Sequence, residues 1–160
     1  MTKLVADNFD VPERLNMDGF YARMLSIDDV DKDLEAVLAN AERLKSPNES
    51  NGGWPNNLTR RQNLVDLGWH EKEFMDRNSF TYTLFTNDDD KCLGTIYIYP
   101  TDRSEFDAKV EMWAREDTLL GNVDDILFSS VKSWIENDWP FETVAFVGTE
   151  ISRDEWNKTL

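Results

Sequence analysis

The stretch from Phe80 to Asn137 reads FTYTLFTNDDDKCLGTIYIYPTDRSEFDAKVEMWAREDTLLGNVDDILFSSVKSWIEN and decides the fold. It opens with Phe80–Phe85, a β-branched and aromatic run that predicts a strand, and a polar run typical of tight turns follows. A second strand, Leu93–Tyr99, ends before Pro100, which has no backbone N–H to donate to a ladder. Val110–Ala114 is a third strand. The sequence therefore predicts a hairpin that continues into a three-stranded meander.

An amphipathic helix follows the third strand. Between Val123 and Trp139, apolar residues recur at three- and four-residue spacings, which places them in one stripe along a helix. These residues are Val123, Ile126, Leu127, Val131, Trp134 and Ile135. We expect this stripe to cover the meander, so that Trp134 is buried against the sheet.

The first part of the chain predicts an arm, a strand and a helix. Residues 1–18 show no clear period and form a lead-in arm. Its expected anchors are Phe9, Val11 and Leu15. Gly19–Leu25 alternates well enough for a first strand. Ser26 precedes Asp29 by three residues, which is a capping pattern, and apolar residues at helical spacing then predict one helix from Ile27 to Leu44.

A loop and a second helix separate these elements from the meander. Lys45–Asn57 is rich in proline and glycine and predicts a loop. Trp54 in that loop either packs as a plug or lines a pocket, and we favour the plug. Thr59 opens a second capping-box pattern, and the helix runs from there to about Arg77. Its inward residues are predicted to be Leu64, Leu67 and Phe74.

The end of the chain adds a last strand and a short helix. Thr143–Val147 predicts a buried strand that ends at Gly148, and Ser152 is placed to cap one final turn of helix. The order βααβββαβ allows the last strand to lie parallel to its neighbour after a crossover. We therefore predict one α/β domain over residues 1–160, with a mixed, mostly antiparallel sheet and helices on both faces.

Composition excludes several classes of function. The 160 residues include one cysteine, Cys92, and one histidine, His70, so there is no disulfide framework and no Cys/His metal cluster. No metal site is predicted. A zinc enzyme, a Cys–His hydrolase and a CxxC redox protein are excluded on the same ground.

The chain is strongly acidic. Thirty-two acidic against seventeen basic residues give a net charge of −15, which repels phosphate backbones and argues against nucleic-acid partners. We interpret the charge as a solvated surface, with an acidic pocket that selects a cationic substrate as the alternative. No apolar run reaches the ~20 residues of a membrane helix, so we expect no membrane association and a cytoplasmic protein.

Several short segments are similar to those of small acetyltransferase-like bacterial proteins. They are Arg23, Trp54-Pro55, Phe80-Thr-Tyr-Thr, Leu93-Gly-Thr-Ile-Tyr-Ile-Tyr-Pro100, Val110-Glu-Met-Trp-Ala-Arg115 and Trp134…Trp139-Pro-Phe141. These segments and the order of elements from Phe20 to Gly148 resemble the GCN5-related N-acetyltransferase superfamily. The resemblance covers about four fifths of the chain. The resemblance implies that acetyl-CoA is the cofactor and that an amine is the acceptor.

The resemblance also implies where the cofactor would bind. In that superfamily, the strand equivalent to Val110–Ala114 holds the pantetheine arm through backbone groups, and a glycine-rich loop wraps the pyrophosphate. The cofactor-binding residues implied here are Met112, Trp113, Ala114, Arg115, Gly121 and Asn122.

The loop from Arg115 to Asn122 departs from the family pattern. Thr118 and Leu120 occupy the expected glycine positions, so only Gly121 remains. Asp124 and Asp125 follow in the first turn of the helix, where carboxylates satisfy the helix dipole themselves and repel a pyrophosphate. We also expect the twelve residues after Gly148 to leave no room for the family's final helix, hairpin and tyrosine acid.

Few residues suit the chemistry of acetyl transfer. Glu111 is the best general base by position, although it also reads as a solvent-face carboxylate. His70 has a suitable pKa but is predicted to be a surface imidazole. Tyr97 is the candidate acid, with Tyr99 beside it, and both also read as half-buried strand aromatics. Arg115 either meets a phosphate or pairs with a neighbouring acid.

Two functions remain open from sequence. The first is N-acetyl transfer from acetyl-CoA to an unidentified amine, either on a small molecule or on a protein. The second is a member of the same fold that has lost catalysis and binds a ligand or a protein in the cleft that serves as the active site in the superfamily. The sequence leaves a homodimer open as well.

Overall fold

The computed structural model describes residues 3–44, 54–116 and 121–158. Within those residues the strands are β1 (Arg14–Asn16), β2 (Phe20–Met24), β3 (Phe80–Thr86), β4 (Cys92–Tyr99), β5 (Ala108–Ala114) and β6 (Val144–Phe146). The helices are α1 (Val30–Ala39), α2 (Ala41–Leu44), α3 (Arg60–Met75), α4 (Val123–Asp138) and α5 (Arg153–Lys158), and a single 3₁₀ turn, Ile27–Asp29, precedes α1.

All six strands form one sheet in chain order from β1 to β6. Each neighbouring pair is antiparallel except β5 and β6, which are parallel. The predicted meander is confirmed, since β3, β4 and β5 are consecutive antiparallel strands. The parallel last strand after a crossover helix is confirmed too.

Helices cover both faces of the sheet. Helix α4 packs against β5 on one face, whereas α1 and α3 pack against β4 and β3 on the other. Trp134 on α4 is only 4% exposed, and its ring meets the ring of Tyr82 edge-on with the centroids 4.9 Å apart. The predicted stripe on α4 therefore faces the core.

The lead-in arm holds more structure than its sequence predicts. Its residues Arg14–Asn16 form β1, which pairs antiparallel with β2. Three residues are too short for an alternation to be recognised, and the pairing depends on the partner strand. The anchors Phe9, Val11 and Leu15 are partly buried against the main core, as expected.

The prediction of the first helix is wrong in its length. The predicted single helix from Ile27 to Leu44 is a 3₁₀ turn followed by α1 and α2, with a break at Asn40. The Asn40 side chain donates to the carbonyl of Ala36 (3.0 Å) and accepts from the Glu116 backbone N–H (2.9 Å). An asparagine that bonds backbone groups in this way competes with helix continuation.

The predicted capping residues Ser26, Thr59 and Ser152 all cap their helical segments. The Thr59 hydroxyl accepts from the Gln62 backbone and Gln62 reciprocates, which completes the capping box of α3. Ser152 accepts from the Glu155 backbone N–H (3.1 Å) before α5. The Ser26 hydroxyl accepts from the Asp28 backbone N–H (3.1 Å) at the start of the 3₁₀ turn. The Asp29 carboxylate instead forms two hydrogen bonds with the Arg23 guanidinium, at 2.7 and 2.9 Å.

No helix in the described ranges is long and apolar enough to cross a membrane. The same ranges hold no cluster of His, Cys, Asp and Glu side chains that could bind a metal ion.

Candidate active site

Strands β5 and β6 separate part-way along their length. They pair only where Ala108–Val110 lies beside Val144–Phe146. The last bond of the pair runs from the Val147 N–H to the Val110 carbonyl (3.0 Å), and the chain then turns away at Gly148, where φ is 92°. Strand β5 continues to Ala114. The divergence opens a wedge-shaped crevice along the second half of β5.

This crevice has a volume of about 330 Å³. Its lining residues are Arg43, Leu44, Met112, Trp113, Asp124, Leu127, Phe128, Gly148, Thr149 and Arg153. Residues of a strand present their backbone groups to alternate sides. The Arg115 N–H donates to Leu93 of β4, so the odd-numbered residues of this strand bond to β4. The Val110 carbonyl accepts from Val147, which follows β6, so the even-numbered residues bond in the opposite direction. The N–H and C=O of Met112 therefore face the crevice. The crevice therefore combines a backbone donor and acceptor with an apolar wall from α4.

Arg43 on α2 closes one end of the crevice. Its guanidinium donates to the Ala114 carbonyl (2.7 Å) and to the Asp124 carboxylate (2.8 Å). Asp124 and Asp125 lie in the first turn of α4, as predicted. The cation bridges the end of β5 and the start of α4 and offsets part of the charge that the two carboxylates bring to this helix terminus.

A shallower cavity of about 380 Å³ adjoins that bridge. Among the residues implied to bind a cofactor, Arg115 and Asn122 line it, and Gly121 beside them is exposed. The Arg115 side chain is buried and forms a two-bond ion pair with Glu35 of α1 (2.7 and 2.8 Å), so it pairs with a neighbouring acid. Thr118 and Leu120 lie outside the described residues.

A second pocket lies on the other face of the sheet and shares Trp113 with the crevice. Its volume is about 180 Å³. It is lined by Leu25, Asp33, Val37, Trp54, Asn63, Asp66, Leu67, Trp69, His70, Thr95, Tyr97 and Trp113. Helices α1 and α3 form one side and β4 with β5 the other. The crevice and this pocket, which we call the acceptor pocket after the role that we propose for it below, thus share one lining residue.

Asp33 lies on the α1 side of the acceptor pocket and is 5% exposed. One carboxylate oxygen accepts from the Asn63 side-chain amide (2.8 Å). Burial, assisted by the charges of Asp29 and Asp66, raises the pKa of Asp33 to about 6 against the lowering effect of the Asn63 hydrogen bond. No cation contributes to that shift. The pocket therefore contains a buried carboxylate without a cationic partner among the described residues.

His70 lies on α3, and its Nδ1 is 3.1 Å from the Thr81 hydroxyl. Its ring is half-buried between Trp69 and Tyr97, with ring centroids 5.0 and 5.6 Å away. Burial lowers the pKa of His70, so the imidazole is neutral at pH 7. The prediction of a surface imidazole is wrong, because the sequence does not show that Trp69 and Tyr97 enclose the ring.

Tyr97 and Glu111 face each other across the β4–β5 ladder. The Trp113 indole N–H donates to the Tyr97 hydroxyl (3.4 Å), and burial raises the pKa of Tyr97 to about 12. Tyr97 lines the acceptor pocket, and Tyr99 stacks on it with the ring centroids 5.6 Å apart. Glu111 is half-buried on the same face but lies outside the described pocket lining.

The six tryptophans divide into two groups. Trp134, Trp139 and Trp156 are buried in the core, as predicted. Trp54, Trp69 and Trp113 line the acceptor pocket, and Trp54 is 45% exposed. The plug prediction for Trp54 is wrong, because its ring forms a pocket wall instead of filling a gap.

No protein-family model matches this sequence, and no curated protein matches it. Solved structures do match. The ribosomal-protein-S5-alanine acetyltransferase from Vibrio fischeri has a TM-score of 0.61 at 14% identity, covering 79% of this chain and 67% of that one. RimJ from Mycobacterium smegmatis, in complex with CoA-disulfide, has a TM-score of 0.64 at 11% identity, covering 82% and 64%.

The chain has the fold of the GCN5-related N-acetyltransferases. A third match, the ribosomal alpha-N-protein acetyltransferase RimL in complex with coenzyme A, has a TM-score of 0.60 at 14% identity and covers 79% of this chain and 70% of that one. The present chain thus spans about two thirds of the length of the acetyltransferases that it matches. The predicted fold class is confirmed.

Sequence reasoning missed three residues of this acetyltransferase-fold site. Asp33 falls three residues after Val30 and four before Val37, and Asn63 falls four before Leu67, so both polar residues interrupt apolar stripes. A polar residue on a buried stripe is a recognisable signal. Arg43 carries no such signal, since its partners are 71 and 81 residues away.

Proposed function

We propose that this protein transfers an acetyl group from acetyl-CoA to a primary amine. The observation that carries the proposal is the divergence of β5 from β6, which opens a crevice that shares the lining residue Trp113 with a second pocket. A donor bound along β5 and an acceptor bound between α1 and α3 would approach each other there. Their proximity is what a group transfer between two molecules requires.

The crevice suits the arm of coenzyme A chemically. Its pantetheine carries amide groups, which the N–H and C=O of Met112 would bond as a further strand does, while Leu127 and Phe128 supply an apolar wall. The mouth suits the pyrophosphate less well, because Asp124 and Asp125 stand at the start of α4. Arg43 would supply the cation there if it left Asp124. We therefore propose weak cofactor binding, with Met112, Trp113 and Ala114 on the pantetheine and Arg115, Gly121 and Asn122 around the mouth.

Acetyl-CoA supplies the acetyl group as a thioester, so the chain must accept one proton from the attacking amine and return one to the departing sulfur. We assign the base to His70, which is neutral and lines the acceptor pocket. Tyr97 is the proposed acid, because a hydroxyl with a pKa of about 12 keeps its proton at pH 7. Glu111, the base that the sequence predicts, is the competing assignment.

The decisive experiment measures binding before activity. Isothermal titration with acetyl-CoA at up to millimolar concentration, followed by thiol release with a panel of amines, is expected to show binding and turnover. Absence of any heat with acetyl-CoA would reject the transferase and leave the non-catalytic binding module.

Two isosteric variants then assign the base. His70→Gln is expected to lower kcat by about 10²-fold with little change in acetyl-CoA affinity, whereas Glu111→Gln stays near the parent. The reverse pattern would give the role to Glu111. Tyr97→Phe, which keeps the ring, tests the acid in the same assay.

A further inference from the structure

We propose that the acceptor is a small diamine, whose non-reacting ammonium binds at Asp33 while its other amine is acetylated. This inference rests on the proposed acetyl transfer for the reacting end only. The acceptor pocket is lined by carboxylates and aromatic rings, and acetyl transfer alone does not require such a lining.

The first step of the argument is the charge inside the pocket. Its lining includes Asp33 and Asp66 and, among the described residues, neither lysine nor arginine. The other buried carboxylate among the described residues, Asp29 at 9% exposed, is paired with Arg23. Asp33 instead accepts a hydrogen bond from the neutral side-chain amide of Asn63. A buried charge without a counter-ion is unfavourable, and a cationic ligand would remove that penalty.

The second step is the pocket wall. Trp54, Trp69, Tyr97 and Trp113 surround the same space. Aromatic faces attract ammonium groups and also cover the methylene chain between two of them. A pocket with carboxylates and ring faces suits an alkyl chain that carries positive charge, and it disfavours an anionic or strongly polar acceptor.

The third step concerns which amine reacts. A nitrogen must be uncharged when it attacks, yet contact with a carboxylate favours its charged form. An ammonium held by Asp33 is thus poorly placed to react. The reacting nitrogen belongs instead beside His70 and Trp113, because Trp113 also lines the crevice. Two nitrogens on one chain satisfy both requirements.

The fourth step is size. A volume of about 180 Å³ is below the range typical of pockets for drug-sized ligands, so the acceptor is small. A four-carbon diamine has six heavy atoms and suits such a space, whereas a folded protein terminus would have to enter with its neighbouring residues.

The test compares 1,4-diaminobutane with 4-aminobutan-1-ol, which replaces the second ammonium by a neutral hydroxyl of similar size. Titration is done on the full chain without acetyl-CoA, so binding is measured independently of transfer. We expect the diamine to bind at least tenfold more tightly than the amino alcohol. In Asp33→Asn that preference should disappear, because asparagine can still accept from Asn63 but carries no charge.

Asp31→Asn is the matched control. It removes the same charge from the same helix, but Asp31 is exposed and pairs with Arg60 outside the pocket. The diamine preference should survive in this variant. Trp69→Leu, at a ring that is 52% exposed and therefore tolerant of change, is expected to weaken both ligands.

The outcomes separate this inference from the proposed function. Equal affinity for the two amines, or a preference that persists in Asp33→Asn, overturns the diamine assignment even if acetyl-CoA binds and turns over. If Asp33→Asn lowers kcat equally for both amines and leaves their KM values unchanged, Asp33 is the base and the assignment is again overturned. Diamine preference without acetyl-CoA binding supports the pocket and rejects the transferase.

Discussion

Asp33 combines a buried position with an ionisable group, and that combination has a cost in stability. Its pKa in the folded chain is about 6, above the ordinary value of 3.8 for an aspartate. A raised carboxyl pKa means that the native state holds the proton more tightly, so this contribution to stability is complete below pH 3.8 and is lost as the pH rises through 6. The loss amounts to about 3 kcal/mol at pH 7.5.

Asp33→Asn should therefore stabilise the protein at neutral pH. We expect a gain of roughly 2 kcal/mol in the free energy of unfolding at pH 7.5, shrinking toward zero near pH 4. Urea unfolding at several pH values measures it. Asp31→Asn should show no such gain, because Arg60 holds the pKa of that exposed carboxyl below its ordinary value. A pH-independent difference between Asp33→Asn and the parent would contradict the assigned cause.

At the scale of elements, α4 provides the main cover of the sheet. Trp134→Ala removes a ring that packs edge-on against both Tyr82 and Trp139, and it should cost on the order of 3 kcal/mol or more. Trp69→Ala, at an exposed ring on α3, should cost well under ~1 kcal/mol. Thermal or urea unfolding compares the two. An unchanged melting temperature in Trp134→Ala would mean that the stripe on α4 does not face the core.

The start of α4 also limits cofactor binding. Asp124→Asn with Asp125→Asn removes two carboxylates from its first turn and releases Arg43 from Asp124. Acetyl-CoA should then bind roughly tenfold more tightly at low salt, about 0.7 kcal/mol per carboxylate. Asp138→Asn, at the other end of α4, removes one charge and should change little. Unaltered affinity in the double variant would show that the cofactor does not approach this helix terminus.

The sequence predicted elements better than it predicted the site. Hydrophobic periodicity and turn-forming residues are local features of the sequence, so they predicted β3, β4, β5 and α4 directly. The predicted bounds of these elements differ from the observed ones by only a few residues. The acceptor pocket is different, because Asp33 and Asn63 come together only when α1 packs on α3. Likewise, Asn40 breaks its helix through a bond to Glu116, 76 residues away. Such pairings depend on tertiary packing, which a periodic pattern does not contain.

At the scale of the whole molecule, the net charge of −15 acts on both proposed ligands, with opposite sign. A cationic diamine is attracted toward an acidic chain, and the carboxylates of its pocket add a local field. Acetyl-CoA carries phosphates and is repelled, most strongly near Asp124 and Asp125. Salt screens both interactions, with a Debye length that falls from ~30 Å at about 0.01 M to ~3 Å at about 1 M.

The two affinities should therefore respond to salt in opposite directions. Between about 20 mM and about 500 mM NaCl, 1,4-diaminobutane is expected to bind several-fold more weakly and acetyl-CoA several-fold more tightly. Titration of each ligand alone measures this, and 4-aminobutan-1-ol, with one charge, should show a smaller loss than the diamine. If acetyl-CoA binding weakened with salt, a cation such as Arg43 would have to dominate the crevice mouth over the charge of the whole chain. If the diamine were insensitive to salt, its affinity would come from the aromatic wall, and the carboxylate at Asp33 would not be its partner.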